Sequence, residues 1–385
     1  MPEPDPSTAA EASPPSPKTP AGAKRTALYP LHEAAGASFT DFAGYTMPLR
    51  YVSDLAEHHA VRRAAGLFDL SHMGEIEVTG QQAAELLDYA LVSEVSAIQI
   101  GKAKYTMICG EDGGILDDLI VYRLEQERYM VVANAANTSV VLAALQHRGV
   151  GFTATVHDSV DDWALIAIQG PAAAATMAQV TDADLEGLRY YTILSAEVAG
   201  VPARLARTGY TGEDGFEVFC SPHDAVVIWD SLISAGAAHG VVPAGLACRD
   251  SLRLEAAMPL YGNELSAEIS PYEAGLGRVV KLDKSSDFVG RQALQERSAV
   301  PVDMVRVGLR AEGRRAPRAG QEVLAAGQPV GRVTSGALSP TLGHPVAMAY
   351  VQRYLAEAGT TLDVDIRGHV VAAQVVPLPF YRRTQ

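Results

Sequence analysis

From Thr26 onward the apolar and polar positions mix two periods. Ala103–Cys109 and Ile115–Leu124 are β-rich runs separated by Gly-Glu-Asp-Gly-Gly, a spacing that predicts a hairpin. A further strand over Tyr129–Ala133 is followed by a short helical pattern over Asn137–His147. Ala164–Ile168 reads as a buried strand, stopped by Gln-Gly-Pro, with a helix over Ala172–Gln179. Ala203–Arg207 and Phe216–Cys220 flank another Gly-rich turn, and Asp224–Ala238 repeats with helical period. From Met304 to the end, short strands alternate with Gly/Pro turns and little helix. That shift predicts a separate C-terminal β-barrel or sandwich. No internal repeat of fixed period runs through the chain. Residues 1–24, rich in Pro, Ala, Ser and Thr, lack any apolar period and are expected to be disordered. They carry no apolar signal core, and Glu3, Asp5 and Glu11 fit an organelle transit peptide poorly.

Bulk properties narrow the picture. A chain of 385 residues suits two or three domains, and 48% apolar with 20% charged residues is a globular composition. The net charge is −14, and no Lys/Arg cluster follows a predicted helix, which argues against nucleic acid as a partner. A small anionic ligand needs only one or two placed arginines and stays open. Cys109, Cys220 and Cys248 are far apart, with no C-x-x-C pair, as in a cytosolic protein with reduced thiols. No apolar run reaches the roughly 18 residues of a membrane span.

Three constellations could carry chemistry. In a strand over 115–122, Asp118 shares a face with Leu116, Ile120 and Tyr122, and Asp117 shares the other with Ile115, Leu119 and Val121. Two acids on two apolar faces are costly unless each finds donors or a ligand. The bland alternative is that one caps a loop and the other makes a salt bridge. Glu217, entering a strand after the turn from Tyr210, shares its face with Phe219. There it could accept from a planar NH/NH₂ pair such as a pterin edge, or simply face water at a strand edge. Arg249 and Arg253 lie four apart at the start of a helix after Pro243. An arginine near a helix N-terminus is not placed to favour the macrodipole. It answers either to an internal Arg–Asp network or to an anionic ligand. His58 and His59 are neighbours and cannot share a helix face. There is no H-E-x-x-H, G-x-G-x-x-G, P-loop or G-x-S-x-G pattern, and nothing supports a metal, flavin or pyridoxal phosphate site.

These residues also carry a resemblance. Asp41-Phe-Ala-Gly-Tyr-Thr-Met-Pro-Leu49 resembles the opening signature of the glycine cleavage T-protein family, the aminomethyltransferases, with Tyr45 where that signature has Trp. Glu57–Arg62, Gly66–Met73, Gly113–Tyr122, Gly209–Glu217, Gly245–Glu255, Asp287–Leu294 and Thr334–Gly343 continue it in order. The resemblance spans residues 26 to 381.

It implies an α+β fold: a three-domain ring around a central folate channel, closed by a C-terminal β-barrel. By resemblance, a disordered extension (1–25) precedes a first lobe built from 26–73 plus 159–251. A second lobe combines 74–158 and 252–300, and the barrel covers 301–385. Asp118 matches the family's catalytic carboxylate. Glu217 matches the acid that holds the pterin ring, with Arg249 beside it, and Tyr105, Asn134, Tyr210, Met73 and, more loosely aligned, Tyr381 match folate-lining positions. The implied activity is transfer of a one-carbon unit from a lipoyl carrier protein to tetrahydrofolate, in the cytoplasm, without nucleic acid or membrane. Three other readings share the fold. A folate-dependent demethylase uses a sulfonium donor. An amine oxidase would need a flavin domain. A folate-binding assembly protein without enzymatic activity shows a K-G-C signature, where this chain has Lys284-Ser-Ser-Asp-Phe-Val-Gly-Arg291.

Overall fold

The computed structural model describes residues 22–383. The expected disordered extension falls mostly outside them. Its last residues belong to the fold: the Lys24 N–H donates to Gly44 O at 2.8 Å, and Lys24 O accepts from Thr46 N–H at 2.8 Å. The Arg25 guanidinium covers the Tyr29 ring at 4.1 Å.

A six-stranded sheet runs in the order Ile193–Val198, Val201–Ala206, Gly215–Cys220, Ala164–Gln169, Ala65–Asp69, Val241–Pro243. Ala164–Gln169 is buried at every position, which is why it reads as an unbroken apolar run. Its two neighbours come from opposite directions along the chain, Gly215–Cys220 on one side and Ala65–Asp69 on the other, both antiparallel. One face packs Ile166, Ile168 and Val218 against Ile228, Trp229 and Leu232 of the Ala225–Gly236 helix.

An antiparallel five-stranded sheet has the order Ala103–Cys109, Ile115–Glu125, Arg128–Ala133, Gly74–Thr79, Thr155–Asp158. Its outer face is covered by the helices Ala83–Ala90 and Thr138–Arg148. Its inner face meets the first sheet: Tyr122, Met130 and Val132 share a core with Leu165, Ala167, Phe219 and Leu252. The segment with Leu265, Phe288 and Leu294 packs beside this sheet on Val92, Met107 and Ile115. The C-terminal strands Met304–Ala311, Pro345–Gln352, Gln328–Leu338, Glu322–Ala325, Thr361–Ile366 and His369–Val376 close into a barrel, deciding between the two all-β expectations. No helix among the described residues is long and apolar enough to cross a membrane.

The helices are a little shorter than their patterns. Ala172–Gln179 forms helix only over Ala173–Met177, and Asp224–Ala238 only over Ala225–Gly236. The 137–147 pattern becomes a 3₁₀ turn, Ala135–Asn137, followed by the Thr138–Arg148 helix.

A buried charged cluster joins the pieces. Arg62, from the Asp54–Arg63 helix, donates to Glu213 Oε1 at 2.8 Å, Thr211 O at 2.7 Å and Glu255 Oε2 at 2.9 Å. Glu255 closes the Leu246–Glu255 helix and reaches the barrel side, accepting from Ser339 Oγ at 2.5 Å and from Thr341 N–H at 3.0 Å. His58 Nε2 lies 3.2 Å from the same carboxylate, and the Tyr381 ring covers the Arg62 guanidinium at 4.0 Å. Burial pushes the Glu255 carboxyl up, but the hydrogen bonds from His58, Ser339 and Thr341 outweigh it and hold its pKa at about 2.

Replacing Arg62 by Met takes the buried cation away from both Glu213 and Glu255. The expected loss is about 3–5 kcal/mol, read as a lowered denaturation midpoint. Because the folded-state pKa of Glu255 lies below its ordinary 4.5, its contribution is whole above that pH and drains away as pH falls toward about 2. The gap in thermal midpoint between wild type and Glu255→Gln should therefore narrow across that window. A gap that stays constant down to the acid limit would contradict the assignment.

Candidate functional site

The two sheets bring most of the candidate residues to their shared interface. The register of the strand over 115–125 does so by simple alternation. Asp117 turns toward its own sheet's helix-covered core and is fully buried, whereas Asp118 turns toward the interface and is only partly covered. Gly114 permits close approach at the strand's start, since a Cβ there would meet Ala267 O at 1.8 Å. Ile115 N–H donates to Ile269 O at 3.0 Å.

The adjacent acids are held differently. Asp117 accepts three N–H bonds, from the Asn134 backbone at 2.9 Å, Asn134 Nδ2 at 2.9 Å and Asn137 Nδ2 at 2.7 Å. It is the loop-capping acid of the bland reading. Asp118 makes no salt bridge among the described residues, so the other half of that reading does not hold. Its Oδ2 accepts from Tyr105 Oη at 3.0 Å and its Oδ1 from Asn134 Nδ2 at 2.8 Å. Tyr105 stands on the next strand, paired with Ile120, which explains its reach. Burial raises the Asp118 carboxyl above its ordinary range, against the opposing pull of Tyr105 and Asn134. Burial, added to by the neighbouring Asp118 charge, pushes the Asp117 pKa up to about 7 despite its three donors.

Glu217 comes from the other sheet and is 9% exposed, which removes the water-facing reading. Thr208 Oγ1 donates to its Oε2 at 2.5 Å, and Tyr122 Oη reaches the same oxygen at 3.4 Å. Oε1 receives no hydrogen bond from the described residues. Burial raises this carboxyl, while Thr208 and the Arg249 charge oppose the shift. Tyr122 also lies 3.1 Å from Thr208 Oγ1, so one hydroxyl ties the two sheets together.

The two arginines of the Leu246–Glu255 helix divide the readings between them. Arg253 is in the internal network, 2.8 Å from Glu264 and 2.8 Å from Asp250. The Arg249 guanidinium makes no hydrogen bond or salt bridge among the described residues. It lies 4.8 Å from the centre of the Tyr210 ring, whose hydroxyl is tied to Pro259 O at 2.5 Å. Burial lowers the Arg249 pKa, and the nearby Tyr210 and Glu217 oppose it.

Met73 packs on the shared core beside the site. Tyr381 stacks on Arg62, and its N–H donates to Glu255 O at 2.8 Å. No hydrogen bond joins it to Asp118, Glu217 or Arg249.

Several neighbours escaped the sequence reading. Tyr191 sits at φ 62° between the sheets, where its N–H donates to Arg207 O and its carbonyl accepts from Ala103 N–H. Burial raises its hydroxyl, with the neighbouring Tyr190 and then the charges of Glu217 and Asp118 adding to the shift. His72 Nδ1 and Glu75 Oε1 are buried without a partner. Burial and the Arg249 charge lower the His72 pKa to about 4, and burial raises Glu75 well above the carboxylate range with Glu217 adding. The one available signal was Tyr122, a tyrosine on the Asp118 face that needed a partner for its hydroxyl. The interface therefore offers acceptors at Asp118 and Glu217, tyrosine hydroxyls around them, and one free guanidinium. It can accept N–H donors at the two acids and meet an acceptor or anionic group at the guanidinium.

Comparison with known proteins follows the same lines. Residues 28–284 match the family described as GCVT N-terminal domain, and residues 305–382 match the glycine cleavage T-protein C-terminal barrel domain. An aminomethyltransferase of Saccharopolyspora erythraea is 61% identical, over 94% of this chain and 98% of its own length. One of Bacillus subtilis is 44% identical, over 94% and 99%. The crystal structure of glycine cleavage system aminomethyltransferase T from Bartonella henselae superposes with a TM-score of 0.88. It is 38% identical and covers 94% of this chain and all of that one.

The unequal burial of the adjacent acids has a direct spectroscopic consequence. The infrared band of a protonated carboxyl should disappear from the wild-type protein with a midpoint near pH 7, and Asp117→Asn should remove that component from the titration. A titration unchanged by the substitution would show that Asp117 ionises in the ordinary acid range.

Proposed function

The chain belongs to the glycine cleavage T-protein family and is an aminomethyltransferase, and from that premise we propose how its interface handles the two substrates. The aminomethyl group arrives on a lipoyl thiol of a carrier protein. Loss of ammonia leaves an electrophilic methylene on sulfur. The N5 amine of tetrahydrofolate attacks this carbon, the carbon–sulfur bond breaks, and N10 closes the ring. The products are 5,10-methylenetetrahydrofolate, ammonia and the reduced lipoyl dithiol. The carbon enters and leaves at the formaldehyde level, so the transfer needs no electron acceptor.

The observation that carries this reading is the pairing of a partnerless guanidinium, Arg249, with two half-satisfied carboxylates across one interface. Glu217 Oε1 accepts from the N–H edge of the pterin, and Arg249 supplies the complementary positive charge. Asp118, fixed by Tyr105 and Asn134, orients the folate amines and stabilises the positive charge that develops as carbon is transferred. Tyr210, Tyr191 and Met73 provide the walls. Tyr381, the more loosely aligned match to a folate-lining position, is held by its stacking on Arg62. The protein works in the cytoplasm, a compartment that suits its three free, buried cysteines.

Glu217→Gln and Arg249→Ala should each weaken tetrahydrofolate binding by about 1.5–3 kcal/mol, the usual size of one charge-assisted contact, while leaving the fold intact. Titration calorimetry on the folded variants measures this. Wild-type affinity in both would refute the pocket.

The activity reading is tested by donor and product together. Incubated with tetrahydrofolate and the aminomethyl-loaded lipoyl carrier, the protein should form methylenetetrahydrofolate and ammonia. It should do nothing with a sulfonium methyl donor, whose carbon is more reduced and would give methyltetrahydrofolate. Mass spectrometry separates the two products. Methyltetrahydrofolate from the sulfonium, with no turnover of the loaded carrier, would favour the demethylase. Binding of folate without any transfer would favour the assembly protein.

A further inference from the structure

We propose that Asp117, which cannot touch substrate, is a positioning residue for the transfer: it holds the Asn134 carboxamide so that Asp118 is presented in one orientation. The inference rests on the reading of Asp118 as the carboxylate that meets the folate amines.

Asp117 grips Asn134 at two points, the backbone N–H on Oδ2 and the side-chain Nδ2 on Oδ1, both at 2.9 Å. With main chain and side chain both fixed, the amide has little freedom to turn. Its Nδ2 carries two hydrogens. One serves Asp117 Oδ1, and the other serves Asp118 Oδ1 at 2.8 Å. The assigned orientation serves both acids from one amide nitrogen, whereas the opposite one would set its carbonyl oxygen against acceptor oxygens on both sides. Asn137 Nδ2, at 2.7 Å from Asp117 Oδ1, braces the assembly from the next turn.

Asp118 is thereby held at one oxygen by Asn134 and at the other by Tyr105, which leaves one lone pair on each for a ligand. Asp117 is fully buried on the opposite face of the strand, so its hydrogen-bonded route to Asp118 runs through Asn134. A displacement of an ångström at a reacting group is enough to lower a rate by about a hundredfold. That is the sensitivity such a brace would guard.

The test is a double-mutant cycle on turnover with the loaded lipoyl carrier and saturating tetrahydrofolate. Asp117→Asn is nearly isosteric but offers its neighbours only one acceptor oxygen. It should lower kcat by at least about tenfold and move KM for tetrahydrofolate by less than about threefold. In an Asn134→Ala background the same change should lower kcat by less than about twofold, because the group it acts through is gone. A purely structural role predicts equal effects in the two backgrounds. That outcome, or a loss confined to KM, overturns the proposal. If Asp117→Asn does not fold, Asn137→Ala replaces it, since it removes one of the three donors to Asp117 without touching Asp118. A severalfold fall in kcat that vanishes in the Asn134→Ala background is then expected, and wild-type kcat overturns the proposal. Asp118→Asn, run alongside, separates the two failures. If it turns over normally, the reading of Asp118 is wrong whatever Asp117 does.

Discussion

The relation among the first sheet's 210–214 loop, the Leu246–Glu255 helix and the barrel rests on the buried guanidinium of Arg62. Its partners lie at Thr211 and Glu213 in one loop and at Glu255 on one helix, and Glu255 passes the connection on to Ser339 and Thr341 beside the barrel. Removing three charges from water is expensive, and only the dense hydrogen bonding around them makes the arrangement favourable. The same loop carries Tyr210, and the strand that follows it carries Glu217. The same helix carries Arg249. Fixing loop and helix at Arg62 therefore also fixes the stacking of Arg249 on Tyr210 and their place beside Glu217. A well-packed apolar contact would be less demanding in geometry, because it tolerates sliding. A bifurcated guanidinium between two acids does not.

The strand over 115–125 adds a second constraint of a simpler kind. Alternation sends neighbouring side chains to opposite faces, so two adjacent acids must meet two environments. Asp117 enters a core that supplies three N–H donors and no ligand. Asp118 enters the interface between sheets, where a hydroxyl and an amide hold it but do not exhaust it. The carboxyl with more donors is the one fully out of water, and burial is what moves its titration toward neutral pH.

Much of this was legible in the sequence, for identifiable reasons. The 103–125 hairpin has a Gly-rich turn between β-rich runs, and Ala164–Gln169 is an apolar run because both its faces are covered. The switch to short strands after Met304 marks the barrel. The pairing of Ala65–Asp69 with a strand roughly a hundred residues later was hidden, since register between distant strands leaves no local period. So was the division between Arg249 and Arg253. Both lie in one helix, four apart, and only the position of Glu264 decides which of them is neutralised. Tyr191 was invisible for a different reason: it is placed by a positive-φ backbone between two strands, not by a periodic element. Two of the bland readings were right about a neighbour. Asp117 is the capping acid and Arg253 the networked arginine, which leaves Asp118 and Arg249 as the pair without an internal explanation.

The charges at the interface bear on the ligand proposed for it. Glu217 and Glu75 both lie in a region that excludes water, and burial is the first cause raising each. The cation beside them, Arg249, is itself disfavoured by burial, and it in turn helps keep His72 neutral. An interface balanced in this way gains little from a strongly charged guest placed among its acids. It gains most from a neutral, planar one that brings N–H donors to carboxylates with lone pairs to spare. An anionic extension would be met by the Arg249 guanidinium. A reduced pterin with a carboxylate tail has that distribution. In the proposed reading, positive charge appears only when the folate nitrogen takes up the carbon, and Asp118, held by Tyr105 and Asn134, is placed to stabilise it. Charge that develops beside a preset carboxylate in a dry interface is met without reorganisation. Neither acid need act as a strong base for the site to favour transfer over mere binding.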